Sequence, residues 1–182
     1  MTGGARSNRG PAAAAENRAA IIRAAQEVFA ESGLAAPYSA IAKRAGVGQG
    51  SLYRNFPTRQ SLAFVAFDDN LTQIEAAVEA GGGLADVLRM ISQQAVASGA
   101  FIELIAQHPD DPHGVALAAK LTAIVEATFE QGLASGTVPP GFTVPDLLVA
   151  IQLVAGAASV GLAREREALV ARGWQLMGIR IV

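Results

Sequence analysis

"AGVGQGSLYRNF", residues 45–56, sets glycines at positions 46, 48 and 50 and closes with two aromatic residues on either side of Arg54 and Asn55. A nucleotide-binding glycine loop would follow a buried strand and open a helix whose N-terminus faces the phosphates. Here the preceding "YSAIAKRA" (38–45) reads as a short helix with two consecutive basic residues, and no Gly-Lys-Ser/Thr follows. The glycines instead punctuate a tight junction between two short helices. That is a helix-turn-helix, which lays its second helix in the major groove of DNA.

The flanking residues extend this reading. Ile21, Ile22, Ala25, Val28 and Phe29 recur at helical spacing, and Gly33 marks a stop. Ile41, Ala42 and Ala45 define the next, short helix, with Pro37 suited to its first turn and Gly46 to its C-cap. The spacing predicts a third helix over Gln49–Asn55, ended by Pro57, with Leu52 and Phe56 turned inward. Thr58 is the expected N-cap of a longer fourth helix whose buried side carries Leu62, Val65, Leu71, Ile74 and Val78, up to the "GGG" at 81–83. Further helices are expected at 84–98, 100–107, 113–134, 144–162 and 164–178, and no stretch alternates long enough to predict a sheet. The fold class is all-α.

With Leu52 and Phe56 committed to the core, Gln49, Ser51, Tyr53, Arg54 and Asn55 point outward or sideways. Arginine grips guanine, Asn and Gln pair with adenine, and hydroxyls reach phosphates. Charge agrees with a polyanion partner: through Leu62 there are eight basic against three acidic residues, a balance of +5, and the remainder carries −7. An acidic remainder keeps the rest of the molecule off the DNA.

On "R..II..A..VF...G" followed by "IAKRAGVGQGSLYRNFPTRQSL", residues 18 to 62 resemble the DNA-binding domain of the TetR family of transcriptional regulators. The resemblance implies a homodimer, a three-helix DNA-binding unit, and a larger C-terminal domain with an effector pocket and the dimer interface. It sets Ile41 and Ala42 on the family's core pair, Gly46 and Val47 on its turn, and Tyr53 on the aromatic that meets a phosphate. Gln49 and Ser51 fall on DNA-facing positions, Arg54 and Asn55 on variable contacts, and Arg59 on the usual lysine of the next helix, keeping its charge. Ser39 and Lys43 complete the expected DNA-facing set. The chain departs from the pattern at Ala36 and Pro37, where a capping Thr or Ser is usual, at Ala40 in place of an acid, and at Gly48 in place of serine.

The domains expected are a flexible basic arm over 1–15, the DNA-binding unit over 16–62, and an effector-binding and dimerisation domain over 63–182. Met90, Gln94, Phe101, Ile105 and Phe129 are candidates for an effector pocket, being large or polar groups on alanine-rich helices. Gln94, polar among apolar neighbours, needs a partner. Ala150, Leu153, Val154, Ala157 and Gly161 line one helical face, and Leu169, Trp174, Leu176 and Met177 add bulk on the next helix, giving the candidate dimer interface.

Other classes are weaker. "HPDDPH" (108–113) offers possible metal ligands at His108, Asp110, Asp111 and His113 but reads as a proline-broken turn, and no metal or other cofactor is expected. The uncharged "LLVAIQLVAGAASVGLA" (147–163), with Gln152 inside it, reads as a buried bundle helix and not as a membrane span. The start carries no apolar signal region, there is no cysteine, and cytoplasmic localisation is expected. Two histidines and no nucleophile motif leave no assembled site for an enzyme. The expected function is a ligand-responsive repressor that leaves double-stranded operator DNA when a small, largely apolar effector binds. The alternative is a helical protein-interaction module, for which removing the charges of Arg54 and Arg59 would change nothing.

Overall fold

The computed structural model describes residues 10–97, 110–160, 162 and 164–181, and within these the chain is all-helical. Its helices are α1 (Gly10–Ser32), α2 (Tyr38–Ala45), α3 (Gln49–Asn55), α4 (Arg59–Glu79), α5 (Leu84–Ala97), α6 (Pro112–Ala134), α7 (Val144–Val160) and α8 (Arg166–Leu176). The helix expected at 100–107 lies outside the described residues.

Local chemistry explains most boundaries. Gly46 ends α2 at φ 68°, ψ 25°, a left-handed conformation that costs glycine nothing, and the Val47 N–H donates to the Ala42 carbonyl at 3.0 Å. The Thr58 hydroxyl accepts from the Ser61 N–H at 3.0 Å and starts α4. Pro37 stands one residue before α2, at its N-cap, with no side-chain cap bond; Ser39 does not supply one. One expectation needs correction: α1 begins at Gly10, inside the arm expected to be flexible through residue 15. Proline in the first turn followed by four alanines favours helix there, and residues 13–19 are helical and exposed.

Two apolar clusters form the interior. The first joins α1, α2, α3 and α4 through Ile21, Phe29, Ile41, Leu52, Phe56 and Leu62, and reaches Val87 of α5 and Leu117 and Ile124 of α6. The second lies among α5, α6, α7 and α8, around Leu88, Val125, Leu147 and Trp174. Helix α4 packs on α1, α5 and α6 and runs unbroken past Leu62. Its burial is therefore wider than one stripe and includes Phe64 and Phe67 as well as Leu71 and Ile74. Lys120 of α6 ties to α4 through Asp68 at 3.0 Å and Glu75 at 3.2 Å. Gly132 gives α6 its approach to α5, since a Cβ there would collide with the Leu84 side chain.

Candidate nucleic-acid interface

Helix α3 is one face core and one face solvent. Leu52 is 0% exposed and Phe56 2%, whereas Tyr53 is 52% exposed and Gln49, Gly50 and Arg54 are also exposed. Ser51 and Asn55 are half-buried on its flank. The anchor that orients this helix is a residue the sequence pattern did not single out. Tyr38, buried at the start of α2, donates its hydroxyl to the Phe56 carbonyl at 2.7 Å, with the Thr58 carbonyl at 3.2 Å. The bond satisfies a backbone group left open where α3 ends. Its ring meets the Tyr53 ring edge-on at 5.1 Å between centroids.

Burial, the neighbouring Tyr53 and an opposing pull from Arg59 leave the Tyr38 hydroxyl pushed up to about 12. Its proton is therefore held while the unfolded chain ionises near 10, so the stability it contributes is full below that pH and is lost as pH rises toward 12. Tyr38→Phe is expected to lower unfolding free energy by about 1–3 kcal/mol at pH 7, because a buried carbonyl loses its donor. In denaturant titrations the gap to wild type should narrow above pH 10.

The basic residues divide into spent and unspent. Arg44 forks onto Glu27 at 2.8 Å and Glu31 at 2.8 Å, which holds the Glu31 carboxyl below its usual range. Its charge is offset by two carboxylates of α1. Lys43 and Arg54 are exposed, and among the described residues no ion pair engages either. Ser39 is exposed one turn before Lys43.

Two expected DNA-facing side chains are turned to other work. Arg59 donates to the Leu34 carbonyl at 2.8 Å and its Nε is buried without a partner, so it ties α4 to the α1–α2 connection. Asn55 donates to the Ser51 carbonyl at 2.9 Å, within its own helix. Polar side chains near a helix end meet backbone carbonyls first, and the sequence alone does not reveal which are in reach. Arg18 of α1, outside the expected set, is exposed with its guanidinium 4.5 Å from the Phe56 ring centroid. A fixed cation thus stands beside the end of α3. Only its place at the head of the first amphipathic repeat hinted at this.

Residues 21–66 match the family described as bacterial regulatory proteins, tetR family. Those residues thus carry the N-terminal, DNA-binding domain of that family. Among solved structures it is similar to a TetR transcriptional regulator from Streptomyces coelicolor, at 27% identity and TM-score 0.62 over 88% of this chain and 97% of that one. It is likewise similar to a TetR transcription regulatory protein from Mycobacterium vanbaalenii, at 28% identity and TM-score 0.55 over 80% and 96% of the two chains. The TetR family protein CprB from Streptomyces coelicolor shares the fold, at 20% identity and TM-score 0.54 over 90% and 87%. No curated protein matches. TetR-family regulators are DNA-binding transcription factors and not enzymes, and the helix-turn-helix described above is their DNA-binding unit.

In the remainder of the chain several expected site residues are packed inside. Phe129 belongs to the second cluster and Met90 packs against the first, so both serve the interior. Gln94 does have a partner: the Asn70 amide donates to its Oε1 at 2.7 Å. Phe101 and Ile105 lie outside the described residues. A cleft of about 780 Å³ opens instead between α5 and α8, lined by Ser92, Val96, Val170, Trp174, Ile179 and Arg180 among others, and Met90, Gln94 and Phe129 do not border it. The Trp174 indole donates to Ser92 Oγ at 2.8 Å across its floor.

The candidate dimer face splits in two. Ala150 and Val154, each 2% exposed, point into the second cluster, and Trp174 is buried there too. Leu153 at 62% and Leu176 at 71% are exposed, with Leu169 and Val149 beside them in the sequence of exposed apolar residues; Ala157 is half-buried. Gly161 lies outside the described residues. Helix α7 is apolar on all sides, so periodicity could not separate its two faces.

Asp111 caps α6, accepting from the His113 N–H at 2.9 Å and from the Gln60 side chain at 2.9 Å. Among the described residues no cluster of His, Asp or Glu is arranged to hold a metal, and His108 lies outside them. No described helix is long and apolar enough to cross a membrane.

Proposed function

We propose that the protein is a cytoplasmic, ligand-responsive repressor that binds operator DNA as a homodimer and releases it when a small, largely apolar effector binds the C-terminal half. The observation that carries this is the solvent face of α3: Gln49, Tyr53 and Arg54 are exposed, with Ser51 half-buried on the flank, over a buried Leu52 and Phe56, while Arg44 of α2 is paired with two glutamates. Arg54 and Gln49 have the donor patterns that discriminate guanine and adenine. Tyr53, Lys43, Ser39 and Arg18 suit backbone phosphates. The exposed leucines of α7 and α8 support a twofold contact with a second copy, which would set two α3 helices about 34–36 Å apart. The cleft between α5 and α8 is of ligand size and mostly apolar, with Arg89, Glu167 and Arg180 among its lining.

The test is fluorescence anisotropy with duplexes selected from a randomised pool, at two salt concentrations. Selective binding that weakens steeply with salt is expected. Arg54→Ala should cost about 1–3 kcal/mol on the selected sequence and relax discrimination at one base pair. Arg18→Gln should weaken all sequences alike and reduce the salt slope by about one. Absence of any selected sequence overturns the reading in favour of a protein-interaction module.

A further inference from the structure

Along the buried side of α4, Ala63, Ala66, Phe67, Leu71 and Ile74 are apolar and Asn70 interrupts them. The interruption is paired on both sides. Gln26 Nε2 of α1 lies 3.0 Å from Asn70 Oδ1, and also 3.0 Å from the Ala66 carbonyl and from Asp69 Oδ2. Asn70 Nδ2 donates in turn to Gln94 Oε1 of α5 at 2.7 Å. Donor and acceptor thus run in one direction from α1 through α4 to α5. A planar amide can present its oxygen to one neighbour and its nitrogen to the other in one orientation only.

We infer that Asn70 is a positioning residue: it sets the reading head, through Gln26, in one alignment with the C-terminal half, through Gln94, and so fixes the operator spacing the dimer accepts. The inference rests on the operator-binding reading above. An apolar contact tolerates sliding and rotation, because one hydrocarbon surface serves nearly as well as another. A half-buried amide pair resists this, since a shift that parts Asn70 from Gln26 or Gln94 breaks a hydrogen bond in a partly desolvated site. A single asparagine in an apolar helix seam specifies register in this way, at some expense of stability. Arg59 and the Tyr38 bond tie the reading head together internally. Gln26–Asn70–Gln94 is the polar path that continues from α1 across α4 to α5.

The full-length protein is tested in two ways. First, affinities are measured for a series of duplexes whose half-site centres are moved apart one base pair at a time. Wild type should prefer one spacing by about tenfold or more. Asn70→Leu should bind the best duplex nearly as well and lose most of that preference, and adding Gln94→Leu should change nothing further, because both substitutions break one connection. A spacing profile unchanged in Asn70→Leu, or a uniform loss at every spacing that follows a lowered melting temperature, overturns the inference. Second, the side-chain amide signals of Gln26 are followed by NMR without DNA. They should move in Gln94→Leu although, among the described residues, the two glutamines are joined through Asn70 and not by a hydrogen bond of their own. Unmoved signals overturn the relay, and this arm decides even where wild type binds no duplex, a result that would instead remove the operator-binding reading.

Discussion

Phe56→Ala is expected to lower the unfolding free energy by about 3–5 kcal/mol, a large share of the roughly 5–15 kcal/mol that holds a typical domain together. Phe56 is 2% exposed, closes α3 at φ −139°, ψ 92°, and belongs to the cluster that joins the reading head to α4. Its ring also carries Arg18, and its carbonyl receives the Tyr38 hydroxyl. Truncation therefore opens a cavity in that cluster and removes the ring that holds Arg18, while the backbone carbonyl that Tyr38 meets remains. Tyr53, three residues earlier, is the control. At 52% exposure its loss removes one edge-on ring contact with Tyr38, worth about 0.5–1.5 kcal/mol, and an exposed hydroxyl. Urea titrations should separate the two variants by about 1.5–4.5 kcal/mol. Equal values would mean that α3 does not depend on its inward pair.

Leu153→Glu should turn a dimer into a monomer at micromolar concentration and weaken operator binding by about a hundredfold or more. Leu153 is 62% exposed on α7, and Leu169 and Leu176 are exposed on α8, which packs directly against α7. One exposed leucine is ordinary on a protein surface; several on two adjoining helices mark a face that a partner covers. In a twofold contact each substitution enters twice, so two carboxylates would be brought together out of water. Loss of the second reading head removes the effective concentration that joining two half-sites provides, typically 10²–10⁴-fold. Sedimentation equilibrium and operator titration measure both. Val154→Glu, next in sequence but 2% exposed, should instead unfold the chain. A Leu153→Glu protein that stays dimeric and binds with wild-type affinity would place the interface elsewhere.

How far each of these features could be read from the chain depends on the range of the forces that set it. Gly46 and Thr58 act on their own backbone within three or four residues, and the boundaries of α2 and α4 follow from them directly. The inward pair of α3 was equally legible, because Leu52 and Phe56 stand one turn apart on an otherwise polar helix. The alanine run after Pro11 was a local signal as well, overlooked beside the arginines that precede it, and α1 accordingly begins earlier than expected.

The spacing of glycine, apolar and aromatic residues over 18–62 thus determined the helix-turn-helix by itself, and with it the resemblance to the TetR DNA-binding domain, since turn dihedrals, caps and a one-sided apolar stripe are properties of neighbouring residues. Only the tertiary structure decided which side of the uniformly apolar α7 is interior, that Arg59 serves the Leu34 carbonyl, and that Gln94 answers to Asn70 and not to an open pocket. Those outcomes depend on which surface of another helix comes within about 3 Å of a side chain, and residues separated by 24 or 25 positions in the chain acquire that proximity only when the helices pack.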